Sequence, residues 1–181
     1  MTSVQVLGMQ RKGRPMNRST WMVLGGAVAA ALLSNSTAQA QKQMALDSVW
    51  CRSGTASVLA KDEKMTISAI DHLGVAQATD PNDLFHNATQ RCVGTIAMFD
   101  GKMNASGWCR TVIAKTGDWA VVDWKNDDKP GSGTWSYRHG TGALKGITGG
   151  GTYHALGQTR PMETGTYQNC VRVQGKWQVP G

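Results

Sequence analysis

Residues 92–109 read CVGTIAMFDGKMNASGWC, two strand-like runs joined by Asp100-Gly101. Asp-Gly between alternating runs is a strong signal for a two-residue type I′ hairpin turn, because both central residues must take positive φ. Folding about it pairs Phe99 with Lys102, Met98 with Met103 and, at the far end, Cys92 with Cys109. Counting out from the turn makes 92/109 a non-hydrogen-bonded pair, with Cα atoms about 4.5 Å apart. A disulfide spans that distance. The same register gathers Cys92, Gly94, Ile96 and Met98 with Met103, Ala105, Gly107 and Cys109 on one apolar face. A bulge would break this register; without one, the hairpin is stapled across its open end.

The two other cysteines are Cys51 and Cys170. Four cysteines in an exported chain imply two disulfides with three possible connectivities. If Cys92 joins Cys109, Cys51 is left for Cys170. In a closed up-and-down barrel the first and last strands are neighbours, so that bond would latch the barrel shut. Free catalytic thiols are the alternative, and an oxidising compartment disfavours them.

Export is read from the first forty residues. Arg11, Lys12, Arg14 and Arg18 form a basic region, Trp21 to Leu33 an apolar one, and Ala38-Gln39-Ala40 a small-x-small cleavage site. The apolar run falls short of the ~20 residues a bilayer span needs. A cleavable signal peptide over 1–40, a single domain over 41–181 and a periplasmic or secreted location are therefore expected, with no membrane span in the mature chain. The full chain has 19 basic and 12 acidic residues, a net charge of +7. Four basic residues and no acidic one lie in the signal, which leaves the mature chain at +3. No basic cluster interleaved with aromatics remains, so nucleic-acid binding is not indicated.

The mature region is rich in Gly, Thr, Val and Trp and lacks helical periodicity. Short alternating runs between turn residues argue for an all-β barrel or sandwich. Residues 139–153, HGTGALKGITGGGTY, place six glycines between two such runs and predict a sharply bent, closely packed corner. The segment is not a phosphate loop: no Gly-Lys-Ser/Thr occurs, the spacing is G-x-G-x-x-x-G, and no amphipathic helix follows. No cofactor motif is present.

Several short pieces occur in a consistent order: Arg91-Cys92-Val93-Gly94, Asp100-Gly101-Lys102, Gly107-Trp108-Cys109, Thr116-Gly117-Asp118 and the glycine segment Gly140 to Gly151. Together they resemble secreted bacterial members of the allene oxide cyclase-like barrel group, of which dirigent proteins are more distant relatives. The resemblance implies a closed antiparallel β-barrel of about eight strands with a central cavity. Allene oxide cyclases isomerise an unstable lipid epoxide, and dirigent proteins steer phenoxy-radical coupling. None of their functional residues is carried over to this chain, and fold does not transmit activity.

Among residues able to do chemistry, Asp71 stands out on a run, Lys64 to Ala78, in which Met65, Ile67, Ala69, Leu73 and Val75 share its face. That pattern predicts an inward carboxylate, desolvated and able to act as an acid or base; a bulge near Ile70-Asp71 would turn it outward. His72, His86, His139 and His154 show no metal-ligand spacing and are expected on the surface or in loops, with no metal. Asp62-Glu63 and Asp127-Asp128 sit among lysines in turns and read as solvated charge. Asp80-Pro81-Asn82-Asp83 reads as a turn and helix start. No Ser/His/Asp order or nucleophile elbow is present.

Six tryptophans remain in the mature chain. Parity puts Trp135 and Tyr137 on one face, and with Trp124 they are the expected ligand-gripping aromatics of a barrel interior. The alternative is that they fill the interior and leave no room. Three functions follow: a barrel binding a small apolar, phenolic or lipid molecule; an isomerase or cyclase using the same cavity, with Asp71 as its acid-base group; or an envelope interaction protein or inhibitor working through loops such as Lys125–Gly131. Oligomeric state is not legible.

Overall fold

In the computed structural model, which describes residues 43–127, 131–157 and 159–181, eight antiparallel strands follow one another around a closed barrel. They are β1 (Met44–Lys61), β2 (Met65–Ala78), β3 (Thr89–Phe99), β4 (Lys102–Val112), β5 (Trp119–Asn126), β6 (Ser132–Gly140), β7 (Thr148–Ala155) and β8 (Thr166–Gln178). The expected signal peptide lies outside the described residues.

The β3–β4 hairpin has the register read from its turn: Phe99 faces Lys102, and Cys92 faces Cys109, with no bulge between. Asp100 and Gly101 both have positive φ, as a type I′ turn requires. Cys92 and Cys109 are joined, with Cα atoms 4.0 Å apart. Cys51 and Cys170 are joined across the β1–β8 seam at 4.1 Å. The first bond lies inside the barrel, both cysteines being buried, while Cys51 is exposed on the outer wall.

One end of the barrel is plugged. Phe85, from the 79–88 loop, is fully buried between Tyr137 and Trp177, with ring centroids 5.8 and 5.4 Å away. Ile113, Leu144 and Ile147 complete the seal. The loop forms turns rather than the expected helix start: Asp80 and Asp83 accept backbone N–H bonds from Asn82 and Phe85, a local bonding that competes with helix. The glycine segment makes its bend as a single 3-10 turn, Gly142–Leu144, with positive φ at Gly142 and Gly146. A Cβ on Gly142 would run into the Asp118 carboxylate. At the opposite end the inward residues Ala56, Ser68, Ile96, Met98 and Met103 are only partly buried.

Strand β2 corrects one expectation. Its odd-numbered face points outward: Leu73 is 64% exposed, and Asp71 is bonded to Arg91 on the outer wall at 2.6 Å. Ile70, His72, Ala76 and Ala78 point inward and are buried. The strand is regular where it meets β3, so no bulge is responsible. The neighbouring strand has the matching orientation: His72 lies opposite Cys92, which is buried in the interior together with Cys109.

Candidate functional site

The interior chamber is built from inward residues of all strands but β2. Leu46, Trp50 and Arg52 come from β1, Gln90 from β3, Cys109 and Thr111 from β4, and Val122 and Trp124 from β5. Trp135 and Tyr137 come from β6, Tyr153 from β7, and Val171 and Val173 from β8. The three aromatics expected to line a cavity, Trp124, Trp135 and Tyr137, are thus on one wall.

Glycine makes room for these rings. Trp124, Gly107 and Gly94 form one inward row across β5, β4 and β3. A Cβ on either glycine would stand within 2.9 Å of the Trp124 ring. Trp135 repeats the device over Gly151 and Gly175, its ring 2.7 Å from where a Gly175 Cβ would sit. An indole laid flat over a glycine row narrows the barrel while leaving its backbone regular.

What remains is a chamber of about 60 Å³, measured as the space open to the centre of a water-sized sphere. At roughly 10–15 Å³ per water on that measure, it has the bulk of four to six waters, or a ring with one substituent. Two of the indoles are satisfied within the protein. Trp50 Nε1 donates to Ser48 Oγ at 2.8 Å and Trp135 Nε1 to the Thr152 carbonyl at 3.2 Å. Trp124 Nε1 is buried with no partner. Gln90 Nε2 donates to Thr111 Oγ1 at 2.9 Å, one polar patch on an otherwise apolar wall.

Sequence reading missed the polar end of this chamber. Arg52 points inward, its Nε donating to Asn169 Oδ1 at 2.7 Å. No described carboxylate pairs with it; Asp71, Asp123 and Asp47 pair instead with Arg91, Arg138 and Arg172 on the outer wall. Loss of water lowers its pKa, partly offset by Tyr167 and Tyr153 nearby. Beside it, His72 Nδ1 and the Tyr167 hydroxyl are 2.6 Å apart. His72 was expected at the surface, yet it is buried, and its Nε2 has no partner. Burial, then the charge of Arg52, depresses its pKa to about 4, with a smaller opposing pull from Asp71. Burial likewise raises Tyr137, Tyr153 (to about 12) and Tyr167. Among the described residues that line the chamber, Arg52 is the one cation and no carboxylate accompanies it.

His72 also comes close to Cys92 and Cys109, with possible ligand atoms within 4.8 Å of one another. Both sulfurs are tied up in the disulfide, so a lone imidazole remains, and that is no metal site. His139 and His154 are exposed, as expected.

No protein-family model and no curated protein matches this sequence. Among solved structures, this chain is similar to two dirigent proteins. The pterocarpan synthase dirigent protein GePTS1 is 12% identical, with a TM-score of 0.49 over 78% of this chain and 87% of its own. PsPTS1, another pterocarpan synthase dirigent protein, is 11% identical, with a TM-score of 0.48 over 77% and 97%. Likeness at this level concerns the fold alone.

Proposed function

We propose that this chain is an exported barrel that binds one small apolar or phenolic molecule in its interior chamber. The observation that carries the proposal is the wall of Trp50, Trp124, Trp135 and Tyr137 around a space the size of a substituted ring, with an indole N–H left unpartnered. Buried polar groups in proteins are nearly always bonded, and a bound acceptor would supply the missing partner. Export by cleavage after Ala40 belongs to the same proposal, and the two disulfides fit an oxidising compartment.

The chamber is too small to enclose a long acyl chain, which favours ring compounds over lipids. Turnover in the same chamber would need a titratable group other than Asp71, which is on the outer wall.

Paired native and denaturing mass spectrometry of protein taken from the periplasm tests this reading. An excess native mass that disappears on denaturation is expected, with the denatured mass reporting residues 41–181 and two disulfides. Bare protein, together with no change in tryptophan fluorescence on adding phenols or ring acids, would overturn it.

A second reading, an interaction protein, is favoured by one feature. Leu73 and Val75 of β2, and the facing pair Val93 and Trp108 of β3 and β4, are exposed on the outer wall on either side of the Asp71–Arg91 ion pair. Exposed apolar side chains rimmed by polar ones are a feature of interaction sites. Its test is co-purification of a partner lost on Trp108→Ser.

A further inference from the structure

We infer that Arg52 is an anion-binding group, and that the chamber takes a small monocarboxylic acid with its apolar body against Trp50, Trp124 and Trp135 and its carboxylate on the Arg52 guanidinium. This rests on the binding reading above and adds the ligand's charge and headgroup.

Four observations converge on it. Arg52 lines the chamber, and its only hydrogen bond among the described residues is from Nε to Asn169. The Nη groups, four N–H donors in the planar fork that matches a carboxylate, have no described acceptor. The lining residue Trp124 carries a second unpartnered donor, its buried Nε1. Finally, no Asp or Glu is among the lining residues. A chamber whose free groups donate, with one positive charge uncompensated, calls for a ligand that accepts and carries a single negative charge.

Charge count and size choose among anions. One guanidinium with no lysine or run of backbone N–H groups suits a monoanion better than a phosphate dianion. The chamber volume suits a ring or short chain bearing one carboxylate. Asn169 holds the guanidinium from the β8 side, and His72, uncharged at neutral pH, adds no competing cation.

The test is isothermal titration of the mature protein with trans-cinnamate, hexanoate, their primary amides and inorganic phosphate. The expected result is that an acid binds at least about tenfold more tightly than its amide, the usual advantage of a charge-assisted bidentate bond, and that phosphate does not compete. Arg52→Gln should abolish that preference, and Trp124→Phe should weaken both forms. Acid and amide binding equally to the wild type would overturn the inference while leaving the binding reading intact. No binding of any organic probe would overturn both. Phosphate binding more tightly than either acid would overturn the carboxylate assignment. The acid-to-amide ratio of the wild type decides the matter even if Arg52→Gln fails to fold.

Discussion

The side chains of His72 and Tyr167 belong to strands that are not neighbours, yet they lie 2.6 Å apart because the residue between them is glycine. Gly54 of β1 pairs with His72 on one side and Tyr167 on the other. With no side chain on Gly54, imidazole and phenol meet over its Cα. A Cβ there would sit 2.4 Å from the His72 Cβ, so Gly54→Ala is expected to force the pair apart. Overpacking of this kind costs about 1–3 kcal/mol; urea unfolding measures the loss, and His72→Ala in the same chain should recover part of it.

The depressed His72 pKa predicts a stability loss on mild acidification. An unfolded histidine takes up its proton near pH 6.5, while the folded one stays neutral until about pH 4. Its contribution is therefore complete above pH 6.5 and fades as pH falls towards 4. Paired carboxylates such as Asp47 and Asp123, whose pKa values lie below 3.8, lose their contributions only at lower pH. Between pH 7 and pH 4 the wild type should lose on the order of 2 kcal/mol more than His72→Gln. Parallel urea curves for the two proteins over that range would disprove the assignment.

The two disulfides should differ in how easily they are reduced. Cys51 is on the exposed wall, whereas Cys92 and Cys109 are buried. Mild thiol reductant on the folded protein is expected to open Cys51–Cys170 first, read by alkylation and peptide mass. Loop entropy gives the 119-residue separation almost 5 kcal/mol and the 17-residue one roughly 3. Cys51→Ser/Cys170→Ser should therefore lower the unfolding free energy more than Cys92→Ser/Cys109→Ser, apart from the packing lost at the buried site.

Asp71→Asn should leave the chamber untouched. Its carboxylate meets Arg91 on the outer wall, and exposed pairs contribute little. Melting temperature and ligand affinity are expected to match the wild type. A clear change in affinity would show that the outer wall is coupled to the interior.

The topology was legible where a few residues fix geometry locally. Asp100-Gly101 sets one turn, one turn sets one register, and that register puts Cys92 opposite Cys109. The pairing of Cys51 with Cys170 followed once the barrel was closed. Trp124, Trp135 and Tyr137 were legible as one lining because strand parity puts Trp135 and Tyr137 on a shared face beside the run that carries Trp124; aromatic character alone does not decide the side, since Trp108 is exposed. The face of β2 was misread because its outward side carries more apolar residues than its inward side. A barrel interior that holds a polar site accepts His, Ser and Thr, so counting apolar residues fails there. Arg52 was missed for the same reason, since an arginine in a strand reads as solvent-facing. The usable signal was Gly54, two residues further along the same face, marking a place where larger neighbours must meet.

The seam between β1 and β8 has a consequence for how the molecule is made. The hairpin bond joins residues 17 apart and needs only a local turn, so it can form as soon as β3 and β4 have been made. The other bond joins the first strand of the barrel to the eighth and has to wait for all the strands between them. Oxidation therefore has a built-in order, and until the final strand docks, the wall beside Arg52 is missing and the interior lies open along its length. The covalent latch records that this last pairing has taken place.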